Sequence, residues 1–71
     1  MFATESQIHR YILHMVFEYA ERHKIRPLDA WKKFEQNGVL WFLTEHYDIQ
    51  HTLSMDQTIE DIDSLISMNG S

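Results

Sequence analysis

Five histidines and eleven carboxylates are the side chains of this 71-residue chain with the most obvious capacity for chemistry. His9, His14, His23, His46 and His51 do not form the paired i, i+4 arrangement with a glutamate that a zinc protease uses. His14 and Glu18 are spaced to share a surface ion, and His51 follows Asp48 by three residues, but neither pair makes a full ligand set. His46 falls in an apolar row and reads as a core or interface histidine with one hydrogen-bond partner. His51 stands near the end of a helix, where the dipole favours a cation. Asp56, Glu60, Asp61 and Asp63 lack the alternating oxygens and central glycine of a calcium loop. There is no cysteine, and no serine or threonine sits in a glycine-flanked elbow or phosphate loop. A chain this short is also not expected to enclose a pocket of the roughly 300 Å³ that a small ligand needs. No catalytic residue, cofactor or metal is expected, and the reading is of a protein that is not an enzyme.

The elements that would position these groups follow from the apolar spacing. Residues 5–24 form the first expected helix, with Thr4 or Ser6 as cap and Glu5 at the positive end of the dipole. Its stripe is Ile8, Ile12, Met15 and Tyr19, widened by Tyr11, Val16 and Ala20, with Leu13 and Phe17 reaching further round. Lys24-Ile25-Arg26 ends it, because Pro27 disfavours a helical residue before it and opens the next helix well. That second helix covers about 27–37, with Leu28, Trp31 and Phe34 on one face, and Asn37-Gly38 stops it. The third, from Val39 to His51, is the most apolar. Val39, Phe42, His46 and Ile49 form one row, and Leu40, Leu43 and Tyr47 another. Trp41, Glu45, Asp48 and Thr52 remain on the far side, as expected of a central helix covered by its neighbours. Ser54 caps a fourth helix over 55–68, whose stripe is Met55, Ile59, Ile62 and Ile66 and whose flank carries a ridge of Asp56, Glu60 and Asp63. Asp61, off that ridge, is left either to bond a neighbouring element or to face water. Asn69-Gly70 closes the helix. The expected fold is all-α, a compact bundle of about four short helices forming one domain over residues 1–71.

Composition limits the partners. A chain of this length buries about 60% of its unfolded surface, and without disulfides it depends on helix packing or on a second chain. Hydrophobic residues make up 44% and aromatic residues 13%, which leaves apolar surface for an interface. All six basic residues precede position 34, whereas residues 34–71 hold seven acids and no lysine or arginine. Such an acidic half repels a phosphate backbone and suits a basic protein. The third helix offers aromatic and acidic residues where a DNA-recognition helix needs arginine, lysine, asparagine or glutamine. Nucleic acid is therefore not expected as a ligand. No stretch reaches the roughly 18 to 20 apolar residues of a membrane span. The first residues lack the basic and apolar regions of a secretory signal, so a cytoplasmic location is expected. Trp31 and Trp41 are the best candidates for protein contact, and Trp41, near Glu45 and Asp48, has the setting of an interface anchor.

The run Phe34, Gly38-Val39-Leu40, Leu43, Tyr47-Asp48-Ile49 and His51-Thr52, followed by Ile59-Glu60-Asp61-Ile62-Asp63 and Ile66, resembles a known family. It is the small bacterial family catalogued as domain of unknown function 3791. The resemblance covers roughly residues 8–66, and departs from the family where Trp41 replaces a usually polar residue and Leu53-Ser54-Met55 a glycine-containing turn. It implies a short, non-enzymatic protein encoded beside a family related to ADP-ribosyltransferases, and hence a toxin–antitoxin or immunity pair with this chain as the neutralising partner. The expected contact surface is Trp41, Glu45 and Asp48 on the third helix with Asp56, Glu60 and Asp63 on the fourth. The alternative is a self-assembling module in which the same apolar surplus forms a homodimer.

Overall fold

Thr4 opens the first helix in the reciprocal way a capping box requires. Its hydroxyl accepts from the Gln7 N–H at 3.2 Å, and its own N–H donates to Gln7 Oε1 at 2.9 Å. In the computed structural model, which describes residues 4–69, helix α1 then runs from Glu5 to His23. It ends on Lys24 in the left-handed conformation (φ 56°), with Ile25 N–H donating to the Ala20 carbonyl at 3.0 Å and Lys24 N–H to that of Glu21 at 3.3 Å. This is the Schellman arrangement, and Ile25 closes it by packing against the core. Arg26 is extended and Pro27 takes the first position of α2, Pro27–Gln36. Gly38 turns the chain with φ 72°, a conformation that costs glycine nothing. The Asn69 side chain donates to the Asn37 carbonyl at 3.0 Å and ties the far end of the chain to this corner.

The expected third helix is two helices. α3 covers Val39–Glu45 and α4 Tyr47–Gln50, separated at His46 (φ −107°, ψ 20°). The break shifts the phase of the residues that follow. His46 and Ile49 therefore leave the row they would share with Val39 and Phe42 in an unbroken helix. Both are exposed, Ile49 at 61%, and neither belongs to the core. Gln50 goes inward instead, with 7% of its surface exposed. Ser54 then accepts from the Gln57 N–H at 3.1 Å, and α5 runs Met55–Asn69. The expected stop at Gly70 lies outside the described residues.

Five helices and no strands make up the described residues, an all-α bundle in which α3 is central. It touches α1, α2, α4 and α5, while α1 packs chiefly on α2. The core joins Ile12, Met15, Val16, Tyr19 and Ala20 of α1 to Ala30 and Phe34 of α2, Val39 and Leu43 of α3, and Ile59 and Ile62 of α5. Phe34, Val39, Leu43 and Ile62 are wholly buried. Tyr19 meets Phe34 edge-on at 5.3 Å between ring centres, a geometry favoured by the ring quadrupoles.

Candidate functional site

Trp41 lies on the outer side of α3, 65% exposed, with Glu45 one turn further along the same helix and also exposed. The His46 ring stands edge-on to the indole at 6.1 Å and tilted over Phe42 at 5.2 Å, so the residue that breaks the helix also props its exposed tryptophan. Asp48 is exposed too, but on α4, beyond the break. The expected row Trp41, Glu45, Asp48 is thus carried by two short helices.

The α5 ridge has a different setting. Asp56 accepts from Arg22 Nη2, and Arg22 Nε donates to Glu18 at 3.0 Å. Both carboxylates raise the Arg22 pKa, with the Asp56 hydrogen bond the larger cause. His23, stacked on Tyr19 at 4.2 Å, places its Nε2 2.9 Å from Asp63. Glu18, spaced to share an ion with His14, is paired with Arg22. Two of the three ridge acids face the basic end of α1, and only Glu60 has no ion pair among the described residues. No hydrogen bond or ion pair among those residues joins the ridge to Trp41, Glu45 or Asp48.

The Tyr47 to Thr52 segment is a helix terminus built from side chains. His51 Nδ1 donates to the Tyr47 carbonyl at 2.6 Å while its ring stacks on that of Tyr47 at 4.5 Å. A carbonyl only accepts, so the proton must sit on Nδ1. Thr52 Oγ1 donates to the Ile49 carbonyl at 2.6 Å. Each side chain adds a second donor to a carbonyl that already accepts its own backbone N–H, His51 N–H to Tyr47 at 2.9 Å and Thr52 N–H to Ile49 at 3.1 Å. Tyr47 in turn meets Tyr11 of α1 edge-on at 5.2 Å.

Beneath this terminus lies a polar cluster that sequence reasoning only half reached. Asp61 accepts from Gln57 Nε2 at 3.1 Å within α5 and from Gln50 Nε2 of α4 at 3.3 Å, so of its two expected settings it takes the bond to a neighbouring element. Gln50 was not among the expected site residues. Its one signal is that it follows Tyr47 by three residues, on the same side of a helical turn. The Thr58 hydroxyl donates to the Gln50 backbone carbonyl at 3.4 Å. The Tyr11 hydroxyl is buried close to Thr58 but forms no hydrogen bond of standard geometry, and Gln50 Oε1 likewise has no partner. Burial raises the Tyr11 pKa above its ordinary value.

Two concavities flank these elements. A half-open groove of about 390 Å³ lies between the N-terminal half of α1 and the α2–α3 corner, with Ile8, Ile12, Trp31 and Leu40 as its apolar walls. It is an open groove and not an enclosed pocket, left where the first turns of α1 extend past most of the core. The second, wider pocket of about 380 Å³ lies between α3, α4 and α5. Among the described residues no three histidine, aspartate or glutamate side chains come together as metal ligands do, and no helix is long and apolar enough to cross a membrane.

No curated protein and no solved structure matches the chain. The family model for a protein of unknown function (DUF3791) matches residues 10–69. That span takes in every helix from the second turn of α1 onward, including the Tyr47 to Thr52 terminus and Asp61, and the chain belongs to this family.

Proposed function

We propose that the protein is a non-catalytic, cytoplasmic protein-binding module, an antitoxin or immunity-type partner that covers the cleft of a toxin enzyme related to ADP-ribosyltransferases. The observation that carries this reading is Trp41, a large aromatic side chain two-thirds exposed beside a carboxylate on the central helix. Tryptophan at such a position gains most from being buried by a second protein. Glu45, Asp48 and Glu60 supply charge for a basic partner. Asp56 and Asp63 belong to the same proposed surface through their exposed oxygens, although their first partners are Arg22 and His23.

Co-expression with the product of the adjacent gene tests the reading. The expected result is a co-eluting complex, together with relief of the growth arrest that the neighbour causes alone. Separate elution and unrelieved arrest would overturn it. A second reading, a homodimer, is favoured by one observation: Leu13 and Phe17 lie one turn apart on α1 and both are exposed.

A further inference from the structure

We propose that the pocket between α3, α4 and α5 receives an arginine side chain of the partner protein; this rests on the reading that such a partner exists. The pocket is lined by Phe42, Gln50, Asp61, Ser64, Leu65 and Met68. Gln50 is buried, and its Nε2 must face Asp61 because a carboxylate only accepts. That orientation fixes Oε1 as the end without a hydrogen bond. A buried acceptor left unpaired is costly, and a donor that enters with a ligand removes the cost. Asp61 spends two of its roughly four acceptor positions on Gln50 and Gln57. Asp61 gives the pocket a negative charge that no salt bridge among the described residues neutralises, and Gln50 Oε1 is an unpaired acceptor buried in its wall.

The chemistry that answers this set is a cation with several donors and an apolar stem. A guanidinium presents five N–H groups in a planar fork, which can serve a carboxylate and a neighbouring carbonyl together. Phe42 and Leu65 offer walls for the methylene stem, and Met68, 77% exposed at the rim, is unbranched and adapts to what it touches. An ammonium, a compact and strongly hydrated point charge, matches two side-by-side acceptors less well.

Nα-acetyl-arginine amide, titrated into the isotopically labelled full chain and followed by NMR, tests the assignment. Amide shifts at Gln50, Asp61 and Ser64 are expected. The uncharged isostere Nα-acetyl-citrulline amide should leave them in place, and Nα-acetyl-lysine amide should move them less. Asp61→Asn should abolish the response. Because Asp61 also holds Gln50, Met68→Lys is the companion variant: it changes an exposed rim residue and should weaken the response by placing a tethered cation at the pocket. Equal shifts with citrulline, an equal or larger response to lysine, or shifts confined to Glu45, Asp48 and Glu60 would overturn the proposal. So would a full arginine response in both variants. The probe is independent of the partner, so the two readings fail separately. A complex with the neighbouring gene product but no arginine response removes the pocket assignment alone. An arginine response with no complex leaves a guanidinium site and removes the partner.

Discussion

Single residues divide here into those that hold the fold and those that the fold leaves out. Phe34 is wholly buried and Trp41 is not, so truncating them should read out differently. Phe34→Ala is expected to cost about 3–5 kcal/mol in urea denaturation. Trp41→Ala should stay within about 0.5 kcal/mol in that experiment, yet weaken the proposed complex with a toxin partner by about 2 kcal/mol, near thirtyfold. A Trp41→Ala variant that binds as well as the parent would remove tryptophan from the interface. Tyr11 makes a third case. Its hydroxyl is buried without a hydrogen bond, and burial raises its pKa above 10.0, as it does for Tyr19. A raised folded-state pKa contributes stability that is fully present below pH 10.0 and lost as pH climbs through the folded value. Stability should therefore fall on the alkaline side. Tyr11→Phe should lessen that fall and, at neutral pH, leave stability unchanged or raise it by up to about 1 kcal/mol. Denaturant titrations on either side of pH 10.0 check both signs. A loss at neutral pH would mean that the hydroxyl is bonded after all. Residue types alone pointed to Trp41 as a contact residue and set Asp61 apart from the acidic ridge without giving it a role. They could not point to Gln50, whose burial depends on where the chain bends.

At the scale of elements, caps and stops were the most legible features. Thr4, Pro27, Gly38 and Ser54 each act where local chemistry placed them, since each works through its own backbone or a partner three residues away. The break at His46 was not legible. Nothing in the run Val39 to His51 forbids a continuous helix, so the interruption answers to packing: it turns Tyr47 toward Tyr11 and Gln50 toward Asp61. The Lys24 turn was half legible, for Pro27 announced the end of α1 but not a left-handed lysine. A side chain at that φ carries a Cβ penalty of about 1–2 kcal/mol, part of which glycine returns through its larger unfolded-state entropy. Lys24→Gly should stabilise the protein by about 1 kcal/mol net, seen as a higher urea midpoint at unchanged slope. A lower midpoint would show that the lysine side chain compensates for its backbone.

The whole molecule keeps all its lysines and arginines before position 34 and seven of its eleven acids after it, and the fold brings the two together at one seam. Arg22 and His23 at the end of α1 meet Asp56 and Asp63 on α5, yet the net charge stays at −5. Its Cα radius of gyration, 11.4 Å, is close to the roughly 11 Å of a compact chain of this length, so no exchange of helices with a second copy is needed to complete the fold. The isolated protein should scatter light as a monomer of 8.6 kDa. Salt then separates its stability from its binding. Exposed ion pairs such as those at the seam contribute little to stability, and the buried core is indifferent to screening, so thermal unfolding should shift little between low and physiological ionic strength. Association with a basic partner depends on charges that start far apart, and these are screened over a Debye length of about 8 Å at 0.15 M. The association rate should therefore fall steeply over the same salt range while dissociation changes little. A rate that ignores salt would assign the interface to Trp41 and its apolar neighbours alone. A salt-independent dimer of the isolated chain would instead move the exposed Leu13 and Phe17 face of α1 from bystander to interface.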